Sequence, residues 1–255
     1  MVAVLGPLLA PFDPRVPSGP SLDPPSSEHL LGTNDAGQDI LSQIIHGARS
    51  SMLVAVSAAS LALVIGVSVG ATAGLVRGWT ERLAMRVVDL FLAVPALPLL
   101  ILVAALAGPS RGTVIIVIGL AGWPAVARIV RSQTLSLGGR GFITAARGFG
   151  AARTYVIRRH LLPALWPLLV ATFVNWAATA IVLQAGLAFL GLSDPTEVSW
   201  GAILNRALGH QGVYFTSEWL WWVLPAGVAI TLAAAGLAFL GLALEPRSNP
   251  RWSRT

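Results

Sequence analysis

Five stretches of this chain run for about 20 residues or more with few charged side chains, and they limit its fold more than any other feature. A helix needs about 20 predominantly apolar residues to cross a bilayer. The sequence therefore predicts an all-α membrane protein, a polytopic helical bundle with five complete spans. These spans are expected at about 51–76, 86–107, 112–130, 164–190 and 219–243.

Composition excludes several classes of protein. Charged residues make up 11% of the chain, whereas an ordinary soluble domain has roughly 25%. Cysteine is absent, so disulfides and thiolate metal sites are excluded. The four histidines are scattered along the sequence. We therefore predict no catalytic, metal-binding or cofactor-binding residue in this chain.

The basic residues predict the orientation. All seventeen are arginines, and they lie at the ends of apolar runs, which suits membrane topology better than nucleic-acid binding. The segments between the spans fall into two groups, and one group contains only four arginines but eight of the eleven acids. We call these four arginines the arginine-poor set: Arg15, Arg49, Arg111 and Arg206. Positive charge favours the cytoplasmic side. Residues 131–163 and the C-terminus are therefore predicted to be cytoplasmic, as expected for a multi-pass protein of a bacterial cytoplasmic (inner) membrane.

Two polar loops are predicted to be external. The first is 11–49, before the first complete span, whose residues 11–45 are rich in Pro, Ser and Asp. The second is 193–218. Five spans with a cytoplasmic C-terminus would leave the N-terminus outside, and MVAVLGPLLA (1–10) is similar to the end of a preceding span. We expect a truncated first span there; the alternative is a half-inserted N-terminus packed against other helices.

The segment GFITAARGFGAARTYVIRRHLLP (141–163) interrupts the apolar runs. Phe142, Ala146 and Phe149 recur at i, i+4 and i+7, which aligns them on one side of a short helix. Two aromatic side chains separated by small residues can enter a groove on a partner. An interfacial amphipathic helix with no partner explains the pattern about equally well.

This segment resembles the EAA loop of ABC-transporter permeases: Ala145-Ala146, Gly150, Ile157 and Leu162-Pro163 match its spacing. Other segments resemble the peptide/nickel permease family and the C-type subunit of its heterodimers, so that the resemblance covers about 29–250. They are HLLGTNDAGQDILSQIIHGARSSM (29–52), RVVDLFLAVPALPLL (86–100), GWPAVARIVRSQTLSL (122–137) and AGLAFLGLSDPTEVSWGAIL (185–204).

The resemblance implies the fold of a type I ABC-importer permease, one transmembrane permease domain over 1–255. It implies membrane lipid as surroundings and three kinds of protein partner: a second, related permease, one or two ABC ATPase subunits and an extracytoplasmic substrate-binding protein. ATP and Mg would bind to the ATPase subunits, since a chain without lysine has no Walker A motif.

The same resemblance predicts the residues that couple the chain to the ATPase. Thr144 stands where the family has Glu, which leaves open whether an ionic contact forms there. The predicted coupling residues are Phe142, Thr144, Ala145, Ala146, Arg147, Phe149 and Gly150.

Other residues are weaker candidates. Asn175 and Gln184 lie within the 164–190 span and are candidates for the substrate path, although interhelical hydrogen bonding explains them as well. Trp200 and Glu197 are candidates for contact with the binding protein. Asp89 is expected to pair with Arg86 or a neighbour. Pro95, Pro98 and Pro124 are expected to kink their spans. The glycines at 66, 70 and 74 predict a packing face.

The leading functional hypothesis is the permease subunit of an ATP-driven importer of short peptides. Nickel or another small solute is the alternative cargo. A secondary transporter or channel working alone is a second class, but the five spans have no acid in their middles for ion coupling. A passive membrane scaffold is a third.

Overall fold

The computed structural model of the chain describes Gly6 and residues 9–248, with the side chains of all of these except 147 and 245–248. Its regular secondary structure is helical, and residues 10–39 form an irregular loop with one isolated β-bridge between Thr33 and Asp39. Its α-helices are α1 Ile40–Val76, α2 Trp79–Ala93, α3 Ala96–Ala107, α4 Arg111–Gly138, α5 Gly141–Gly148, α6 Arg153–Phe189, α7 Trp200–Gly209 and α8 Val223–Ser248.

Four helical segments are long and apolar enough to cross a membrane. They are α1, α4, α6 and the segment Glu218–Leu244, which includes most of α8. The remaining predicted span, 86–107, which is the second in chain order, corresponds to α2 and α3, which are bent by 87° relative to each other. The all-α, polytopic fold is confirmed, with the second span broken into two helices.

The break lies at Val94 and Pro95. Val94 has φ −84° and ψ 130°, an extended conformation that ends α2. Proline has no backbone N–H and disfavours helical geometry in the residue before it. The predicted kink at Pro95 is therefore a complete break. Pro124, in contrast, lies inside the continuous helix α4.

Local chemistry sets both ends of α1. Asp39 precedes it and accepts a hydrogen bond from the backbone N–H of Ser42 at 2.7 Å, which caps the helix. At the other end Arg77 and Gly78 have φ of 56° and 73°, in the left-handed region that ends helices. The helix therefore begins well before the apolar run predicted at 51–76 and ends where that run ends.

The chain divides into two compact units, and the arginines divide in the same way. The first unit comprises residues up to 57, 101–115 and 178–236; the second comprises 58–100, 116–177 and 237 onwards. The whole arginine-poor set falls in the first unit, together with the described parts of both predicted external loops. Every described arginine of the predicted cytoplasmic set falls in the second unit. The tertiary grouping is therefore consistent with the loop assignment from charge alone.

Within the second unit, α1 packs closely on α4. A Cβ atom on Gly66 would lie 2.5 Å from Val126 Cβ, and one on Gly74 would lie 2.6 Å from Thr134 Cγ2. These positions need glycine because the two backbones approach closely. The predicted glycine ridge therefore packs against α4.

Two ion pairs connect α4 to α2. Arg128 binds Asp89 at 2.6 Å, and Arg131 binds Glu81 through its Nε at 2.7 Å. The expected pairing of Asp89 with Arg86 was wrong. Asp89 pairs instead with a residue 39 positions away, which the sequence pattern did not reveal. The expected truncated first span over residues 1–10 lies, apart from positions 6, 9 and 10, outside the described residues.

Candidate functional sites

The predicted coupling segment forms a separate short helix, α5, between the long helices α4 and α6. Gly150 lies just after α5 with φ 79°. The N–H of Ala151 donates to the carbonyl of Ala146 at 3.0 Å, the bond that closes a Schellman cap. Only glycine adopts this left-handed conformation at little cost. The glycine of the EAA-like pattern therefore ends the helix.

One side chain anchors α5. Ile143 is 0% exposed and belongs to a cluster of aliphatic residues drawn from α1, α4 and α6. The other buried members of this cluster, which we call the aliphatic cluster, are Ala71, Leu75, Val126, Val130, Val156, Leu161, Leu165 and Leu169. The buried isoleucine therefore packs α5 against these helices in a close-packed interior.

The predicted coupling residues lie mostly on the surface of α5. Phe149 is 91% exposed and Phe142 is about half exposed. Thr144 and Ala145 are exposed, and Ala146 is half-buried. The hydroxyl of Thr144 donates to the carbonyl of Arg140 at 3.3 Å, inside its own helix turn. The side chain of Arg147 lies outside the described part of the structure. The exposed aromatic rings leave this surface free to receive a partner.

The start of α6 carries a π-helical turn, Ile157–Leu161. Its His160 lies between two aromatic rings, 6.0 Å from the ring centroid of Phe142 and 5.7 Å from that of Tyr155. The contact with Phe142 connects α5 to α6. π turns inside α-helices frequently occur at functional sites, and spacing alone did not predict one here.

Positive charge surrounds α5. Four arginines of the segment 140–159 have described side chains, and none of them forms an ion pair within the described chain: Arg140, Arg153, Arg158 and Arg159. This contrasts with Arg128 and Arg131 on α4, which are both paired. The segment therefore offers positive charge and exposed aromatic rings together.

The two substrate-path candidates have different surroundings. Asn175 on α6 lies against the backbone of Gly241, where a Cβ atom would collide with its amide. This is a close interhelical contact. Gln184 is buried, and its Oε1 atom has no hydrogen-bond partner in the described structure. Asn175 belongs to the second unit and Gln184 to the first.

The two binding-protein candidates also differ. Trp200 is 5% exposed, and its indole N–H donates to the carbonyl of Ile44 at 3.0 Å. A tryptophan held in this way anchors α7 to α1, so its burial argues against direct contact with a binding protein. Glu197 is half-buried, forms an ion pair with Arg111 and accepts a hydrogen bond from the hydroxyl of Ser50 at 2.9 Å.

Glu197 borders a cavity of about 610 Å³ in the first unit. Three arginines line the same cavity: Arg15, Arg49 and Arg111. The sequence pattern does not predict that these three arginines share a site, because they are far apart along the chain. Their shared membership of the arginine-poor set was the one available signal.

The Asp194 side chain stabilises the turn before Glu197. Its Oδ1 accepts hydrogen bonds from the hydroxyl of Thr196 at 2.6 Å and from its backbone N–H at 2.9 Å. These bonds, the hydroxyl bond foremost, hold the pKa of Asp194 below its ordinary value. The carboxylate therefore stays charged at the surface of this loop.

Curated relatives resemble nearly the whole chain. A putative peptide permease protein of Brucella suis biovar 1 is 37% identical over 229 residues, which is 89% of this chain and 74% of that protein. A putative peptide transport system permease protein of the same organism is 36% identical over 98% of this chain and 85% of that protein. The dipeptide transport system permease protein DppC of Bacillus subtilis is 33% identical over 100% of this chain and 79% of that protein.

Solved structures share the fold. Two inward-facing crystal forms of the MetNI methionine ABC transporter match with TM-scores of 0.60 and 0.61, at 20% and 19% identity. Each match covers 79% of this chain and 96% of the other. The model of the family described as binding-protein-dependent transport system inner membrane component matches residues 62–254. Because this model matches most of the chain and several of its helices are apolar enough to cross a membrane, the chain belongs to that family and is a multi-pass permease subunit of the inner membrane.

Proposed function

We propose that this chain is the permease subunit of an ATP-driven importer of short peptides. Its relatives from Brucella suis and Bacillus subtilis are named as peptide and dipeptide permeases, and they align with nearly all of it. ATP and Mg bind to separate ATPase subunits, and the present chain hydrolyses nothing. A second, related permease completes the path, and an extracytoplasmic binding protein delivers the peptide.

The observation that carries this proposal is the exposed aromatic face of a helix whose other face is locked into the spans. Phe142 and Phe149 enter a groove on the ATPase subunit, while Ile143 transmits the displacement to the aliphatic cluster. Such a rigid-body movement is a common way to transmit a conformational change between subunits. The unpaired arginines around α5 suit an acidic rim on that subunit. Thr144 carries no charge, so the contact at that position is not ionic.

The charges of the two units support the proposed orientation. Its described arginines outnumber its acids, whereas acids outnumber arginines in the first unit. By the positive-inside rule, α5 and the C-terminus face the cytoplasm, and the loops 11–49 and 193–218 face outwards. Glu197, at the edge of the second loop, remains a candidate for contact with the binding protein. Asn175 and Gln184 remain candidates for the path, and the unpartnered amide oxygen of Gln184 is free to accept a hydrogen bond.

The coupling proposal is tested with Phe149→Ala in the assembled transporter. We expect association with the ATPase subunit to weaken on the order of tenfold, since buried aromatic residues are frequent interface hot spots. Peptide uptake should fall in parallel. Pull-down of the ATPase and uptake of a radiolabelled tripeptide provide the two measurements.

The matched control is Phe215→Ala. Phe215 is also 91% exposed but lies in the first unit, in the turn after the 3₁₀ helix Gln211–Tyr214. Association with the ATPase should be unchanged in this variant. Equal effects of the two substitutions, or none from either, would count against α5 as the coupling element.

The cargo is tested by competition. Uptake of the labelled tripeptide by cells expressing the complete transporter should fall when unlabelled peptide is added and should not fall with nickel ions. Inhibition by nickel alone would replace the peptide proposal with the alternative cargo. Uptake that continues without ATPase subunits would support a transporter working alone.

A further inference from the structure

An arginine-rich cavity lies in the first unit, where acids otherwise dominate. Three of the four arginines of this unit line it, namely Arg15, Arg49 and Arg111. The fourth, Arg206, is held elsewhere by an ion pair with Asp35 at 2.6 Å. This concentration of positive charge is local and does not reflect the composition of the unit.

The cavity is lined by two acids as well, Asp13 and Glu197. Glu197 binds both Arg111 and Ser50. The Oδ1 atom of Asp13 accepts the backbone N–H of Arg15 at 2.9 Å. The guanidinium groups of Arg15 and Arg49 form no ion pair or hydrogen bond with any described residue. The cavity therefore has two guanidinium groups available for an anion, and its three arginines outnumber its two acids.

The volume suits a small solute. The cavity measures about 610 Å³, within the roughly 300–1,000 Å³ of typical ligand pockets. The planar guanidinium group matches a carboxylate through two parallel hydrogen bonds. We propose that this cavity binds the C-terminal carboxylate of a short peptide, with Arg49 and Arg15 as ligands and Arg111 held in place by Glu197. The identity of the carboxylate rests on the proposed function.

The test compares two probes that differ by one charge, trialanine and trialanine amide. Their binding is measured by equilibrium dialysis against the complete transporter in nanodiscs, without the binding protein. We expect trialanine to bind about tenfold more tightly than its amide, since charge-assisted hydrogen bonds are about twice as strong as neutral ones. Arg49→Gln and Arg15→Gln should each remove most of this difference.

Both substitutions leave the internal contacts of the unit intact, because neither side chain has a described partner. Arg206→Gln is the matched control: it removes an arginine from the same unit but not from the cavity, and the tenfold difference should persist. A size-exclusion profile like that of the wild type would show that each variant is folded.

Three outcomes with the transporter alone would overturn the proposal. They are failure of trialanine to bind, equal binding of trialanine and its amide, and an unchanged difference in both cavity variants. An effect of Arg49→Gln and Arg15→Gln that is seen only when the binding protein is present would also overturn it. The cavity would then bind a carboxylate of that protein. Peptide uptake with these variants is measured separately, so that a failed carboxylate site remains distinguishable from a failed peptide importer.

Discussion

Each of the two units is stabilised internally by a different kind of interaction. The loop 11–49 of the first unit buries six polar side chains, which are His29, Thr33, Asn34, Asp39, Ser42 and Gln43. His29 binds Asp39 at 3.0 Å, and the side-chain amide of Gln43 donates to the carbonyl of Pro14 at 3.1 Å. In the second unit, in contrast, α5 is anchored through the aliphatic cluster.

The difference follows from what each region must satisfy. A loop without regular secondary structure leaves many backbone groups unpaired, and buried polar side chains provide partners for them. Hydrogen bonds are directional, so the loop is held in one conformation. The helices around α5 satisfy their own backbone, and aliphatic packing is sufficient to hold them. We therefore expect polar substitutions to affect the first unit most and volume changes to affect the second most.

Asp39→Ala should have the largest effect. It removes the partner of a buried histidine and the cap of α1, and breaking a buried pair costs about 4 kcal/mol. Hydrogen exchange of the backbone amides in residues 29–43 should accelerate accordingly. Asp39→Asn keeps an acceptor for Ser42 and should lose less than half as much. Similar exchange rates in both variants and the wild type would contradict a polar framework for this loop.

Ile143→Ala should have the next largest effect. Removing a buried isoleucine side chain costs about 3 kcal/mol, because a cavity remains. The fraction of molecules in which α5 is detached from the cluster rises with this free energy. Trypsin cleavage after Arg140 and Arg147 should therefore accelerate about 100-fold. Thr144→Ala, in the same helix but exposed, should leave cleavage nearly unchanged. Equal cleavage of the two variants would show that the aliphatic cluster does not anchor α5.

Asp194→Asn should have the smallest effect, because this loop aspartate is at the surface. Its pKa is lowered in the folded chain, so its contribution to stability is present above the ordinary aspartate pKa. That contribution is lost as the pH falls through the lowered value. The wild-type melting temperature should therefore fall slightly more than that of the variant on acidification. Parallel curves would show that the bonds from Thr196 do not stabilise the loop.

Much of the fold could be predicted from local patterns. The apolar runs located the spans, and the glycine spacing on α1 identified its packing face. The distribution of arginines along the sequence separated the predicted external loops from the predicted cytoplasmic segments, and the two units separate them in the same way. These features depend on neighbours within a few residues, which a sequence displays directly.

Other features depended on residues that are distant in the chain. Asp89 pairs with Arg128, Trp200 fits against α1, and three arginines meet at one cavity. The cost of breaking the second span at Pro95 also depends on what surrounds the freed backbone, and the sequence predicted only a kink there.

By itself, the sequence determined that the chain is a helical membrane protein, where its spans lie and which loops group together. Hydropathy and charge act through the solvent or the lipid around each segment, so they need no knowledge of the fold. Only the tertiary structure decided which side chains are buried, which charges remain unpaired and which face of α5 is available. These depend on contacts between segments, and a contact exists only once the helices have packed.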